Sequence, residues 1–130
     1  MDDTLRADFT RMMAKLAPPA ERPESDLRQD APTFHRNAQA ILEALGPRLR
    51  GATPAVLMEI GSGTGQHAAL LAGLFPQLEV WPSDPDPRRR AGIEAWRADL
   101  GLANLRPAVD LDCAAPDAAP DAAPDPVGVV

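Results

Sequence analysis

Hydrophobic positions along the chain alternate between helical and strand-like patterns. Apolar residues recur every three or four positions in four segments, which predicts amphipathic helices over residues 4–17, 33–49, 67–75 and 88–100. Short apolar runs predict three strands, over residues 55–60, 78–81 and 106–111. Because strands and helices alternate from residue 55 onward, we expect a right-handed parallel α/β unit.

Two segments lack any hydrophobic period. Residues 18–32 are rich in Pro, Glu and Arg and predict a linker or a loop over the surface. Residues 114–130 repeat Ala-Ala-Pro-Asp three times, which predicts a disordered tail because such a repeat buries too little apolar surface. We therefore expect an N-terminal amphipathic helix (1–17), a linker (18–32), a partial α/β domain (33–113) and the tail. We expect the first helix to dock on its own domain; a membrane-surface helix is the alternative, weakened by acidic residues on its polar face.

Composition narrows the class of protein. The 130 residues suit one small domain, and the net charge of −6 disfavours nucleic acid as a partner. No apolar run is long enough for a transmembrane helix, and the acidic start does not resemble a signal peptide. The single cysteine, Cys113, excludes an internal disulfide framework and fits a reducing compartment, so we expect a cytoplasmic protein. Two histidines far apart in sequence give no support for a metal site.

The segment after the first strand carries the strongest chemical signal. A strand enters a glycine-rich turn at Gly61, Gly63 and Gly65, and a helix with free N–H groups follows. A dinucleotide fingerprint would need glycine at Gln66. Glu59 before the turn disfavours a pyrophosphate and suits a ligand with an ammonium group, so the segment favours S-adenosyl-L-methionine over NAD. A tight turn without a ligand is the alternative.

Three further residues extend this candidate cofactor site. Asp84 lies 19 residues after Gly65, where an acidic residue takes the ribose hydroxyls of a nucleotide; a plain turn residue is the alternative. Asp112 and Cys113 end the third strand, where an adenine ring would lie, although an Asp is also ordinary at a strand end. Ser62 suits cofactor packing better than covalent catalysis, and no nucleophile and base pair stands out, so catalytic residues stay unassigned.

Glu59-Ile-Gly-Ser-Gly-Thr-Gly-Gln-His resembles motif I of class I S-adenosylmethionine-dependent methyltransferases. Together with Arg36-Asn37, Trp81-Pro-Ser-Asp and Ile93-Glu-Ala-Trp, it resembles the methyltransferase-like family catalogued as domain of unknown function 938, related to methyltransferase-like protein 26. The resemblance implies a Rossmann-like fold and methyl transfer from S-adenosyl-L-methionine to an acceptor that the sequence does not identify. It implies that the three glycines lie at the methionine portion, Asp84 at the ribose and Asp112 near the adenine.

The chain departs from the family after the third strand. Members continue with a fourth strand, whereas the Ala-Ala-Pro-Asp repeat stands in that place here. The resemblance therefore predicts only the N-terminal half of the fold. Strand 55–60 would then be an open edge, and we expect the chain either to be only marginally stable or to self-associate through that edge. The alternative function is a truncated or degenerate protein that binds the cofactor or a partner without catalysis.

Overall fold

The computed structural model describes residues 1–51 and 54–112. Four helices and two strands follow one another in the order α1 (Asp3–Lys15), α2 (Pro32–Arg50), β1 (Ala55–Glu59), α3 (Gln66–Leu74), β2 (Leu78–Pro82) and α4 (Pro87–Leu100). The α/β fold class is thereby confirmed. The predicted disordered tail and Cys113 lie outside the described residues.

Local side chains explain where the helices begin and end. The Asp2 carboxylate accepts a hydrogen bond from the Leu5 N–H at 2.8 Å and caps α1, and Asp86 caps α4 in the same way. α2 continues through Gly46 and Pro47 to Arg50. Pro47 removes only the hydrogen bond to the carbonyl four residues earlier, at Glu43, which lies on the exposed face where water can solvate it.

β1 and β2 run parallel, with Ala55 opposite Leu78 and Glu59 opposite Pro82. The segment predicted as a third strand, 106–111, is not a regular strand. The chain there is joined to β2 and the residue after it by two isolated parallel bridges, Val80 with Leu105 and Ser83 with Val109. In the described part of the chain the sheet therefore has two regular strands and one loosely paired segment beside β2.

Pro82 explains why this third segment is irregular. Its nitrogen carries no hydrogen, so β2 loses one donor to its neighbour. Arg106 N–H donates to the Val80 carbonyl at 2.8 Å, but the next bond comes from Val109 N–H to the Pro82 carbonyl at 3.0 Å, one residue later than a regular ladder requires. The Ala108 N–H that the regular ladder would use instead donates to Glu94 Oε1 on α4, at 2.7 Å.

The main core lies on one face of the sheet. Strand residues that include Leu57 and Val80 pack there against the helices, together with Leu16 at the end of α1. α1 docks on α3 through its apolar side, and the contact is so close that a Cβ at Gly73 would lie 2.5 Å from Met12 Cε. The alternate strand positions form a second, smaller cluster of Met58, Trp81 and Val109 with Val56 and Leu111. Among the helices of residues 1–51 and 54–112, none has the length and apolar character needed to cross a membrane.

Residues 17–31, which we call the strap, connect α1 to α2 without regular structure and lie along α4. The Trp96 indole N–H donates to the Gln29 carbonyl at 3.0 Å, and the Arg28 guanidinium lies 5.3 Å from the centre of the same indole ring. At Gly92 a Cβ would come within 3.1 Å of the Leu27 carbonyl oxygen. The absence of a side chain at Gly92 thus lets the strap approach α4 closely.

The two tryptophans differ in their hydrogen bonding, and this difference predicts different costs of substitution. Trp96 is fully buried and bonded to the strap, so Trp96→Phe should lower the free energy of unfolding by about 1–3 kcal/mol through a lost hydrogen bond and lost volume. Trp81 Nε1 is buried without a partner in the described chain, so Trp81→Phe should cost less. Urea unfolding followed by circular dichroism measures the free energy of unfolding of both variants. An equal or larger loss for Trp81→Phe would contradict the view that the hydrogen bond of Trp96 stabilises the fold.

Candidate functional site

The carboxyl ends of β1 and β2 lie side by side and are joined by hydrogen bonds between two serines. Ser62 N–H donates to the Ser83 carbonyl at 2.6 Å, and Ser83 N–H donates to Ser62 Oγ at 3.0 Å. The Ser83 hydroxyl also donates to the Glu59 carbonyl at 2.5 Å. These bonds hold together the two loops that border the crevice at the strand ends. This is the edge at which open α/β sheets bind their ligands.

The glycine turn between β1 and α3 has left-handed backbone at Gly61, Gly63 and Gly65. Gly65, with φ of 82°, is the N-cap of α3, and a Cβ there would lie 2.7 Å from Ile93 Cγ1. At Gly61 and Gly63, by contrast, a Cβ would meet nothing within 4 Å. Gly65 is therefore required by packing against α4, whereas the other two glycines present their backbone to open space.

Asp84 lies against the glycine turn. Its Oδ2 accepts a hydrogen bond from the Gly63 N–H at 3.0 Å, and its Oδ1 accepts one from the Asp86 N–H at 2.9 Å. The residue is buried, with 9% of its surface exposed. A carboxylate offers about four acceptor positions, and two are used here, which leaves room for two hydroxyl donors.

Asp112 is exposed. Its expected place near an adenine stays a prediction. The segment that leads to it is attached to the site, because Asp84 N–H donates to the Val109 carbonyl at 3.0 Å. The corresponding prediction for Cys113 falls on a residue outside the described chain.

Glu59 ends β1 with its carboxyl group largely out of water. Burial raises the pKa of this group from 4.5 to about 7, and a hydrogen bond from Ser62 offsets the rise only in part. Its Oε1 is buried and has no hydrogen-bond partner within residues 1–51 and 54–112. A buried acceptor without a partner, just before the glycine turn, suits a ligand that brings N–H donors and positive charge.

A cleft of about 230 Å³ lies beside the turn. It is lined by Ala31, Thr33, Phe34, Ser62, Gly63, Thr64, His67 and Arg89. Burial lowers the pKa of His67, and its ring stands edge-on to Phe34 with 4.8 Å between ring centres. Two larger cavities lie elsewhere, one between α1 and α2 and one at the amino ends of the strands.

The structural importance of Gln66 was not predicted from the sequence, where this residue counted as a mismatch to a dinucleotide fingerprint and as part of the family motif. This side chain is fully buried, and its amide is satisfied on both ends. Oε1 accepts from Ala31 N–H at 3.0 Å and from the Thr64 hydroxyl at 2.8 Å, while Nε2 donates to the Leu16 carbonyl at 2.9 Å and to Asp30 Oδ1 at 2.7 Å. The available signal was an amide at the start of an otherwise apolar helix.

The Arg88-Arg89-Arg90 run does not form a free basic patch. Arg90 Nη1 donates to the carbonyls of Asp84 and Pro85 at 3.0 and 2.9 Å and holds the loop after β2. Arg89 Nη1 donates to Gln29 Oε1 at 2.8 Å. Across the described residues, no three His, Cys, Asp or Glu side chains are grouped so that they could hold a metal ion.

Gly65→Ala should destabilise the protein more than Gly101→Ala. Both positions have left-handed backbone, which costs a residue with a Cβ about 1–2 kcal/mol, but only the Gly65 methyl would also collide with Ile93. At Gly101 the added methyl meets nothing within 4 Å. Urea unfolding should show a loss in the free energy of unfolding at least twice as large for Gly65→Ala. Equal losses would refute the packing role of Gly65.

Glu59→Gln should change how stability depends on pH. Because the folded-state pKa is raised to about 7, the folded protein keeps a proton that the unfolded chain releases between pH 4.5 and 7. Glu59 therefore costs stability as pH rises through this window, and Glu59→Gln should gain up to about 3 kcal/mol over wild type between pH 4.5 and 8. Urea unfolding at several pH values measures the gain. Glu43→Gln, on an exposed face of α2, is the control. If the difference in the free energy of unfolding between Glu59→Gln and wild type does not change with pH, the burial of the Glu59 carboxyl group is refuted.

Comparison with known proteins places this geometry among methyltransferases. The chain is 39% identical over 69 residues to the ribosomal RNA small subunit methyltransferase G of Burkholderia cenocepacia (strain HI2424), an alignment that covers 52% of this chain and 30% of the relative. The corresponding protein of Burkholderia orbicola (strain AU 1054) matches with the same identity and coverage. The chain thus spans less than a third of the length of these curated relatives.

Solved structures agree on the fold. A coclaurine N-methyltransferase bound to N-methylheliamine and SAH superposes with a TM-score of 0.50 at 16% identity, over 85% of this chain and 37% of that protein. A Plasmodium falciparum protein described as a protein-L-isoaspartate O-methyltransferase, in complex with S-adenosyl-L-homocysteine, gives a TM-score of 0.52 at 18% identity, over 86% of this chain and 56% of that protein. Residues 28–130 match the family model described as "Protein of unknown function (DUF938)". Since the match covers most of the chain, the protein belongs to this family, and the resemblance to class I methyltransferases is confirmed.

Proposed function

We propose that the chain binds S-adenosyl-L-methionine at the carboxyl ends of β1 and β2 and serves methyl transfer to an acceptor. The observation that carries this proposal is the orphaned carboxyl oxygen of Glu59, placed before a glycine turn whose backbone faces open space. An ammonium group is the ligand feature that such a carboxyl group recognises, and the amino acid end of S-adenosyl-L-methionine carries one.

The residues take complementary parts in this proposal. Glu59 binds the ammonium group, and the turn that includes Gly61, Ser62 and Gly63 packs against the methionine portion, with Gly65 fixing the start of α3. Asp84 accepts hydrogen bonds from the ribose hydroxyls, for which its carboxylate has acceptor positions left. Asp112 and Cys113 contact the adenine. The relatives and structural neighbours support cofactor binding by this fold, since they are methyltransferases and two of the structures contain S-adenosyl-L-homocysteine.

The bound cofactor would supply a methyl group on a sulfonium, and transfer of that group is a direct displacement. The protein then acts mainly by holding the two reacting groups in line and keeping water away. No residue of the chain is assigned as the base. The acceptor and the activity are proposals, because the chain spans only about 30% of the length of its curated relatives. A protein that binds the cofactor without catalysis would use the same site.

NAD binding is the competing assignment, and Glu59 argues against it because an acidic group at the turn repels a pyrophosphate whenever it is ionised. Two further expectations stay predictions: a cytoplasmic location and self-association through β1. In the described part of the chain β1 pairs with β2 alone, which leaves its other edge open for such pairing.

Calorimetry with S-adenosyl-L-homocysteine tests the proposed function. We expect wild type to bind this compound and Asp84→Asn to bind it about tenfold more weakly or worse, because ribose hydrogen bonds to a charged acceptor are lost. Asp8→Asn, on α1 away from the site, should bind like wild type, and NADH should not compete. Absence of binding to wild type, or undiminished binding by Asp84→Asn, would overturn the assignment.

A further inference from the structure

We propose that Gln66 is a positioning residue that couples the strap to the glycine turn, so that cofactor binding and strap docking stabilise each other. The coupling rests on the proposed function, because it assumes a ligand that orders the turn. Gln66 itself need not touch this ligand. It acts through the residues on either side of its amide.

The partners of Gln66 come from two different parts of the site. Leu16, Asp30 and Ala31 belong to the end of α1 and to the strap, whereas Thr64 belongs to the glycine turn. A single buried amide therefore holds two segments that are far apart in sequence. Since all four bonds use one rigid planar group, a displacement of the turn changes the geometry of the bonds to the strap.

The strap is also attached at a second place, on α4. Trp96 donates to the Gln29 carbonyl at 3.0 Å, Arg89 donates to Gln29 Oε1 at 2.8 Å, and Arg28 Nη1 lies 3.3 Å from Asp99 Oδ2. The strap thus runs from α4 to the glycine turn along one side of the cleft that Ala31 and Arg89 line. A ligand in this cleft would contact both the turn and the end of the strap.

Asp30 extends the connection to the start of α2. Its Oδ1, which accepts from Gln66, also lies 2.6 Å from His35 Nε2. Thr33 and Phe34, next to His35 in sequence, line the cleft. The first turn of α2 is therefore connected to Gln66 through Asp30. The strap, the glycine turn and the start of α2, which are three walls of the cleft, all depend on the Gln66 amide.

Strap docking and ligand binding are linked thermodynamically in this arrangement. If the docked strap favours the turn geometry that binds the ligand, then the bound ligand must favour the docked strap by the same factor. Occupancy of the turn should reduce opening of the strap in wild type. Removal of the Gln66 amide should break this relation even where the ligand still binds.

Hydrogen exchange of the strap, with and without S-adenosyl-L-homocysteine, tests the coupling. In wild type we expect the ligand to slow exchange of backbone amides in residues 17–31. In Gln66→Ala these amides should exchange about tenfold faster without ligand, and ligand should no longer slow them. Gln77→Ala is the matched control, because Gln77 also donates to a backbone carbonyl, at Leu49, but lies away from the turn. It should behave like wild type.

Thr64→Val provides a second variant. It removes both hydrogen bonds of the Thr64 hydroxyl with Gln66, the one donated to Oε1 and the one accepted from the Gln66 N–H, and keeps the bonds to the strap. We expect its strap to stay protected without ligand and to lose the ligand-dependent slowing. Unchanged ligand-dependent slowing in either variant, at saturating ligand, would overturn the coupling alone. Absence of ligand binding to wild type would overturn the proposed function together with the coupling.

Discussion

The paired hydrogen bonds between Ser62 and Ser83 are the constraint on which the site depends. Each serine uses its backbone to bind the other, so the loops that follow β1 and β2 cannot separate without breaking both bonds. This fixed distance brings Gly63 against Asp84, and the Ser83 hydroxyl donates to the Glu59 carbonyl. A glycine turn alone would be a flexible segment; tied to the neighbouring loop, it becomes one wall of a preformed crevice.

Buried polar groups organise the other side of this crevice. Gln66 stands in an apolar environment, where an unsatisfied amide would cost several kcal/mol, and four partners offset that cost. Glu59 is the contrasting case, because one of its carboxyl oxygens is buried without a partner in the described chain. The first group gains its partners by folding. The second keeps a buried acceptor that no described residue satisfies.

Short-range patterns predicted much of this arrangement. The strand at 55–60, the glycine turn and Asp84 after the second strand could be predicted because their signals lie within a few residues or follow the fixed geometry of a βαβ unit. The regular third strand could not, because one missing donor at Pro82 shifts the ladder by a residue. The bonds from Gln66 to the strap and the docking of the strap on α4 join residues 35 to 71 positions apart, and no local period encodes such contacts. The places of Asp112 and Cys113 stay predictions.

The close contact between the strap and Trp96 has an optical consequence. The chain contains no tyrosine and two tryptophans, so its near-ultraviolet emission comes from Trp81 and Trp96 alone. Trp96 lies under the Arg28 guanidinium and binds the Gln29 carbonyl, while Trp81 belongs to the smaller cluster and lies 5.3 Å from the Arg106 guanidinium. Movement of the strap alters the charge and polarity around one indole and leaves those around the other in place. The protein thus carries its own fluorophore at the point where the strap meets α4.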